Sequence, residues 1–377
     1  MRILIGADLV PTKTNAALFE KGDAATLIGQ DLLEIMHSAD CRIFNLEVPL
    51  TNTSTPIAKN GPAMIAATQT INGYKALGVD LLTLSNNHIM DQGEQGLHST
   101  LRTLQDAGIS YVGAGENLQE AAKPFVFQAT GRKIGVYACA EHEFSIAGET
   151  TAGANPFDPL ESLDHVAALK ARCDYVIVLY HGGKEHYRYP SPMLQKICRK
   201  LVEKGADLVV CQHSHCIGCE EKYQNGIIVY GQGNFLFDDD ESEFWKTSLL
   251  IQIQENTVSY IPLVKKGQTV RIAQDSAAQE IISEFQQRST EICDPQIVKE
   301  KYSQFAKGMR TWYLTVLSGT NIGGFFYRAI NKLTGGKWQS LCVNRKYTKA
   351  KCLRVRNYLE CEAHRELLLK GLDKDST

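Results

Sequence analysis

The feature that most constrains the fold is an alternation, over about the first 265 residues, of short uncharged apolar runs with stretches of helical periodicity. The run YVIVLY at residues 175–180 carries no charge and is rich in β-branched side chains. Such runs are typical of strands that are buried on both faces of a sheet. Because strands that alternate with helices form layered domains, we predict an α/β fold for this region.

The pattern also predicts individual elements and a domain boundary. Strands are predicted for residues 2–6, 41–46, 80–84, 110–113, 133–139, 175–180, 207–211 and 227–230, and a β-hairpin for residues 247–253 and 258–264. Helices are predicted for residues 28–37, 69–77, 93–107, 161–171 and 191–204. The pattern then changes to polar helix and to a basic tail, so we predict one domain over residues 1–268 and a mostly helical, basic extension over residues 269–377.

The near balance of 40 basic and 42 acidic side chains hides a strong asymmetry. Residues 310–377 carry a net charge of +8, and nine basic but no acidic residues lie between residues 328 and 356, after the uncharged aromatic segment 312–327. An apolar aromatic face beside a basic cluster suits an anionic membrane surface or an acidic polymer. The alternative is a solvated helical extension that packs on the preceding domain. No recognition motif for nucleic acid accompanies the cluster, so we expect no nucleic-acid partner.

Cysteine usage and the first residues bear on the cellular compartment. The eleven cysteines are odd in number and scattered, apart from Cys216 and Cys219, which predicts reduced thiols in the cytoplasm. That pair is either structural or part of a zinc or redox site, although no second CxxC completes a zinc cage. The opening MRILIGADLV does not resemble a signal peptide, and no apolar run reaches the roughly 20 residues of a membrane span. We expect a cytoplasmic protein, peripheral at the inner membrane face if its tail binds lipid.

Polar side chains capable of binding metal follow five of the predicted strands. They are Asp8; Asn45 and Glu47; Asn86, Asn87, His88 and Asp91; His181, Glu185 and His186; and His213 and His215. Ligands of open α/β sheets bind outside the carboxyl ends of strands, and carboxylate, amide and imidazole groups are ligands of divalent metals. Seen singly, Asp8 could cap the next segment and the asparagines could form turns. His213 and His215, two residues apart, would point to one face if the strand continued through them.

Eight spaced motifs carry a resemblance to a known family. They are GAD at residues 6–8, NLEVPLT at 45–51, SNNHIMDQGEQG at 85–96, GAGENL at 113–118, HGGKE at 181–185, GADLVV at 205–210, QHSH at 212–215 and YGQGNF at 230–235. In this order they resemble the bacterial capsule-biosynthesis proteins of the CapA type, which are associated with poly-γ-glutamate capsules. That family is related to the calcineurin-like metallophosphoesterases.

The resemblance implies a four-layered α/β/β/α sandwich that binds one or two divalent metal ions (Mn, Zn, Fe or Mg). The metal ligands it implies are Asp8, Glu47, Asn87, His181, His213 and His215. It makes His88 the proton donor to the leaving group, with Asp91 as the carboxylate that orients it, although Asp91 could instead cap the helix from Gly93. The residues predicted to contact the substrate are Asn45, Asn86, Glu185, His186 and Asn234. Of these, Glu185 and His186 could instead support the metal ligands.

Two functions from different classes follow. The first is a metal-dependent hydrolase of capsule or surface-polymer biosynthesis (poly-γ-glutamate or exopolysaccharide) that cleaves a phosphoester or amide bond in a phosphorylated substrate or an anionic polymer. The second is a non-catalytic accessory protein that binds the polymer or a partner of the capsule machinery. It is favoured by Asp8-Leu9-Val10, where related phosphoesterases carry Asp-x-His. The substrate, the metal identity and the oligomeric state are not specified by the sequence.

Overall fold

The computed structural model of this protein describes residues 1–237, 242–320 and 324–372. The strands are β1 (Arg2–Leu9), β2 (Cys41–Asn45), β3 (Leu81–Thr83), β4 (Ser110–Val112), β5 (Ala114–Gly115), β6 (Phe125–Ala129), β7 (Arg132–Ala140), β8 (Gly153–Ala154), β9 (Tyr175–His181), β10 (Leu208–Gln212), β11 (Glu220–Tyr223), β12 (Gly226–Tyr230), β13 (Asn234–Leu236), β14 (Thr247–Gln254), β15 (Thr257–Lys266) and β16 (Thr269–Ile272).

The helices are α1 (Ala16–Lys21), α2 (Ala24–Ile28), α3 (Gln30–His37), α4 (Ile71–Ala76), α5 (Gly93–Ala107), α6 (Leu118–Ala121), α7 (Ser162–Lys170), α8 (Pro192–Glu203), α9 (Asp275–Glu291), α10 (Pro295–Leu317), α11 (Phe325–Leu333), α12 (Lys337–Lys346), α13 (Lys349–Glu360) and α14 (Glu362–Leu372). Short 3₁₀ helices span Thr68–Thr70 and Glu243–Trp245. Each predicted strand and helix has a counterpart among these elements.

Two large sheets form the centre of the molecule. The first has the order β16-β15-β14-β1-β2-β3-β4, with β13 also paired to β1, and the second has the order β11-β12-β10-β9-β7-β6. Strands β1 to β4 are parallel to one another, as are β7, β9, β10 and β12. The hairpin strands β14 and β15 add to the first sheet in antiparallel orientation. Both sheets therefore combine a parallel centre with antiparallel strands at one or both edges.

Alternate residues of the strands pack in two directions, which creates four layers. Ile5 of β1 and Ile177 of β9 belong to an apolar cluster to which both sheets contribute. Leu4, one residue before Ile5, lies in a second cluster together with side chains of α1 to α5. Val178 of β9 packs in a third cluster with side chains of α7 and α8. The predicted α/β/β/α sandwich is thus confirmed, with sheet against sheet at its centre.

The chain divides into two compact units, Met1–Lys299 and Glu300–Thr377. The predicted boundary after residue 268 lies inside the first unit, because β16 pairs with β15 and α9 continues the packing. Ile281 and Phe285 of α9 are buried against Ile217 and Leu249. The predicted helical character of the C-terminal region is confirmed by α9 to α14. Among the described residues, no helix combines the length and apolarity required to cross a bilayer.

Candidate metal centre

The parallel strands end together and so collect their terminal side chains in one place. Asp8 of β1 is in register with Asn45 at the end of β2 and with Asn234 at the start of β13. In the second sheet, His181 at the end of β9 is in register with Gln212 at the end of β10. Since the carboxyl ends of parallel strands meet at one edge of a sheet, these neighbours form the floor of the candidate site.

The local backbone geometry near the site constrains which residues can occupy particular positions. A Cβ atom on Gly6 would lie 1.9 Å from the ring of Phe44, so only glycine lets β1 pass this ring just before Asp8. His213 and His215 have positive φ angles of 77° and 52°, values that few non-glycine residues adopt and that concentrate at functional sites. They follow β10 and do not continue it, so the expectation that a strand geometry orients both rings is wrong.

Asp8 and His215 form one side of the cluster. Asn45 donates a hydrogen bond from Nδ2 to Asp8 Oδ1 at 2.7 Å. His215 Nδ1 lies 3.2 Å from Asp8 Oδ2 and 2.9 Å from Asn234 Oδ1. All four side chains are buried. The two asparagines, whose predicted contact with substrate stays a prediction, hold a carboxylate and an imidazole in place.

His181 forms the other side of the cluster. Its Nε2 atom lies 3.0 Å from Asn87 Oδ1, 3.0 Å from His213 Nδ1 and 3.4 Å from Glu47 Oε1. One ring nitrogen can donate at most one hydrogen bond, so it cannot satisfy an amide oxygen, a carboxylate oxygen and a second imidazole at once. A cation bound between these oxygen and nitrogen atoms would satisfy all of them.

Glu47 gives the strongest indication of what the cluster binds. The side chain is fully buried, yet neither carboxylate oxygen has a hydrogen-bond partner among the described residues. Burying an unpaired carboxylate is costly, and buried charges are normally paired or bound to a metal. Three overlapping sets of ligand atoms, each within 4.8 Å of one another, surround this position: Glu47, His181 and His213; Asp8, Glu47 and His215; Glu185, His213 and His215. The donor set therefore fits one or two divalent ions.

Glu185 joins the third of these sets, although it was predicted to contact substrate. It is partly exposed, whereas the two histidines that it approaches are buried. Of the six predicted metal ligands, five belong to these sets, and the sixth, Asn87, contacts His181. The structure thus brings all six predicted ligands together.

The electrostatics of the cluster follow from burial. Burial lowers the pKa of His181 to about 3 and also lowers that of His213, so both rings are neutral, which is the form that binds metals. Burial, together with the charge of Asp8, raises the pKa of Glu47. Burial would lower the pKa of His215, but the carboxylates of Glu47 and Asp8 outweigh it and raise the value to about 9. Because burial favours the protonated form of Glu47, binding of a cation there would displace that proton.

A second constellation lies beside the first and contains the predicted catalytic pair. His88 Nδ1 lies 2.6 Å from Asp91 Oδ2, which also accepts a hydrogen bond from Met64 N at 2.7 Å. Lys59 Nζ donates to Asp91 Oδ1 at 2.6 Å. The carboxylate of Asp91 is fully buried and the Lys59 side chain is only 3% exposed. Asp91 does not cap α5, which starts after Gln92 without a side-chain cap.

Lys59 is a site residue that the sequence analysis missed. It is the only charged residue between residues 51 and 66, but a lone lysine in a polar loop ordinarily lies in solvent.

Asn86 makes contacts that the sequence did not predict: Nδ2 donates to Asn45 Oδ1 at 3.1 Å and Oδ1 accepts from His88 N at 3.1 Å. Asn86 thus links the cluster around Asp8 to the constellation around His88.

His186 lies on an aromatic wall of the site. Trp245 donates from Nε1 to His186 Nε2 at 3.0 Å, and its ring lies 5.0 Å from that of His215. Phe244 stacks on His186 with ring centroids 5.0 Å apart. Neither aromatic residue was predicted, because nothing in the sequence near residues 244 and 245 marks them as neighbours of a site 30 residues earlier.

The CxxC pair does not take part in the cluster. Cys216 and Cys219 are fully buried, and burial raises the pKa of Cys216 to about 11 and that of Cys219 as well. Among the described residues, none of the three candidate ligand sets contains a cysteine. The protonated, enclosed thiols are consistent with the structural alternative.

Comparison with known proteins identifies a family whose sequences this chain matches. The model of the family described as bacterial capsule synthesis protein PGA_cap matches residues 4–239. A capsule biosynthesis protein CapA from Bacillus anthracis is 31% identical over 208 residues, which cover 53% of this chain and 50% of that protein. A PGA biosynthesis protein CapA from Bacillus subtilis strain 168 is 30% identical over 174 residues, covering 45% and 46%. The chain thus spans about half the length of these relatives.

A solved structure of a putative 5'-nucleotidase from Staphylococcus aureus is similar at 15% identity and a TM-score of 0.45, covering 76% of this chain and 58% of that one. Because this score is below 0.5, the fold is assigned from the sheets and layers described above and from the family match.

Proposed function

This chain belongs to the family of bacterial capsule synthesis proteins, and on that premise we propose that it is a metal-dependent hydrolase of capsule or surface-polymer biosynthesis. The bond cleaved would be a phosphoester or an amide, in a phosphorylated substrate or an anionic polymer such as poly-γ-glutamate or an exopolysaccharide. The observation that carries the proposal is the buried carboxylate of Glu47, which lacks a hydrogen-bond partner at the junction of two candidate ligand sets.

The residues that would hold one or two ions are Asp8, Glu47, Asn87, His181, His213 and His215. A divalent ion, when bound, supplies Lewis-acid polarisation of a phosphoryl or carbonyl oxygen. The protein contributes a rigid arrangement of ligands, since Asn45 fixes Asp8 and Asn234 fixes His215. Outer contacts of this kind orient metal ligands and tune their basicity.

His88 would be the residue that moves a proton. Because Nδ1 faces the carboxylate of Asp91 at 2.6 Å, that nitrogen carries the ring hydrogen that donates to Asp91. In the imidazolium form both ring nitrogens carry a hydrogen, so Nδ1 would keep its hydrogen bond to Asp91 while Nε2 gives its proton to the leaving group and the ring becomes neutral. His88 is also close enough to His181 and Glu47 to influence the pKa values of both. The proton donor is therefore adjacent to the proposed metal ligands.

Metal analysis of the full chain, purified without chelators, tests the metal site. We expect at least one divalent ion per chain, and a loss of most of that content in His181→Ala because a central ligand is removed. His98→Ala is the matched control, since His98 is partly exposed and pairs with Glu116 at 2.7 Å. A wild-type protein that holds no ion, and takes up none from added manganese or zinc, would contradict the proposal.

One observation favours a second candidate, a non-catalytic accessory protein that binds polymer or partner. Val10 is fully buried at the position where related phosphoesterases carry a histidine, so this chain has one imidazole fewer for its ions. Metal that is bound without turnover of any phosphoester or amide would select this second function.

A further inference from the structure

The C-terminal unit, residues 300–377, has almost no interior. Among residues 300–320, 324 and 327–372, whose burial the structure describes, only Thr315 and Val343 are buried. Large apolar side chains are instead exposed: Leu333 is 86% exposed, Leu341 53% and Leu353 58%. Burial of apolar surface is the main force that stabilises a folded domain, and exposed apolar patches of this extent mark interaction surfaces. The unit therefore requires something to cover it.

Several contacts between its helices are hydrogen bonds, beside a contact of the Tyr327 and Trp338 rings, whose centroids lie 5.7 Å apart. Gln339 of α12 donates from Nε2 to Thr315 Oγ1 of α10 at 3.0 Å. Asn331 of α11 donates from Nδ2 to Gln339 Oε1 at 3.1 Å. Lys346 Nζ donates to the carbonyl oxygen of Ser318 at 3.2 Å. Hydrogen bonds thus join α10, α11 and α12, while leucines on α11 and α12 face outward.

The same outward surface is strongly basic. Nine basic and no acidic residues lie between residues 328 and 356. In α11, Arg328 and Lys332 are exposed together with Leu333, and in α12, Lys337 and Arg345 are exposed together with Leu341. Trp312 and Trp338, in the same unit, are exposed as well. Basic side chains mixed with leucine and tryptophan are characteristic of helices that lie in a membrane interface.

We propose that this unit binds to the surface of an anionic phospholipid bilayer. Its leucine and tryptophan side chains would enter the boundary between headgroups and acyl chains, while its lysine and arginine side chains contact anionic headgroups. A dissolved acidic polymer would satisfy the basic charges but would leave Leu333 and Leu341 in water. The mixture of exposed leucine with unopposed positive charge therefore favours a lipid surface over a polymer.

A small groove in the same unit is a candidate binding site for one lipid phosphate. Its volume is about 370 Å³ and its lining includes Trp312, Tyr327, Arg328, Asn331 and Lys332. The guanidinium of Arg328 and the ammonium group of Lys332, both among the lining residues, match the oxygens of a phosphodiester.

Co-sedimentation of the full chain with vesicles tests the proposal. We expect binding to vesicles of phosphatidylglycerol and little binding to vesicles of phosphatidylcholine. The triple variant Lys332→Gln, Lys337→Gln, Arg345→Gln should bind phosphatidylglycerol about 100-fold more weakly, at about fivefold per basic side chain. The double variant Leu333→Ser, Leu341→Ser should bind about tenfold more weakly or worse, because apolar insertion is lost.

The matched control replaces three exposed lysines of the first unit, Lys21, Lys75 and Lys196, by glutamine. It changes the net charge equally and should bind as the wild type does. Unchanged metal content in every variant shows that the first unit remains intact. Equal binding of the triple variant and the control would overturn the proposal. So would binding that survives the leucine substitutions, or binding of soluble polyglutamate without binding of vesicles.

Discussion

At the scale of single residues, the chain of contacts from Lys59 through Asp91 to His88 is the feature with the clearest energetic consequence. Lys59 and Asp91 are both buried, with Nζ 2.6 Å from Oδ1. Asp91 in turn accepts from Met64 N and contacts the ring of His88. Removal of one partner from a buried ion pair leaves an uncompensated charge, which costs more than the pair contributes when intact.

We therefore predict that Lys59→Met lowers the free energy of unfolding by about 3–5 kcal/mol, measured by urea denaturation. Lys75→Met, at an exposed lysine, should change it by less than about 0.5 kcal/mol. The double variant Lys59→Met, Asp91→Asn should lose less stability than the two single variants added together, because the groups interact directly. A Lys59→Met variant as stable as the Lys75→Met control would show that Lys59 is not paired as described.

The sequence allowed most of the site to be predicted, for a physical reason. Candidate ligands such as Asp8, His181 and His213 lie at or just after the ends of apolar strands, so the strand pattern itself locates them. Lys59 could not be found in this way, because its loop has no periodic pattern and burial of its side chain depends on a tertiary contact with Asp91. The same limit applies to Trp245, which approaches His215 only in the folded chain.

At the scale of elements, the central strands were predictable, whereas the edge strands β6, β11 and β16 were not. Runs such as β9 and β10 are buried on both faces and so appear in the sequence as continuous apolar segments. The edge strands β6 and β11 are partly exposed and have mixed polarity, which leaves a weak pattern. The predicted helix over residues 28–37 is divided, because Gly29 has a positive φ of 82° between α2 and α3.

Helix α9 provides a test of where the first unit ends. Phe285 is 3% exposed and its ring lies 4.7 Å from that of Tyr260 on β15. We expect Phe285→Ala to reduce the free energy of unfolding of the first unit by about 3–5 kcal/mol, because a buried aromatic side chain is replaced by a cavity.

Gln286→Ala, at the next and exposed position of the same helix, is the control and should be nearly neutral. Circular dichroism during urea denaturation would report both variants. A neutral Phe285→Ala variant would mean that α9 belongs with the extension and not with the sandwich.

At the scale of the whole molecule, the chain combines two units of opposite character. Residues 1–299 carry a net charge of −11 and include the buried ligand cluster, whereas residues 300–377 carry +9 and expose much of their apolar surface. The near-neutral total of −2 therefore describes neither part. We infer that the acidic sandwich carries out the proposed hydrolysis and that the basic helices bind the protein to a lipid surface.

Turnover measurements test whether the sandwich is a metal-dependent hydrolase, as we propose. Metal-loaded full chain is assayed against a panel of phosphoesters and γ-glutamyl amides, before and after chelation, together with His88→Ala and the control His98→Ala. We predict turnover of at least one substrate class that is lost on chelation and restored by added metal. His88→Ala should lower the rate about 10²- to 10⁴-fold with unchanged metal content, while His98→Ala remains active. Absence of turnover by the metal-loaded protein, or full activity of His88→Ala, would contradict the account.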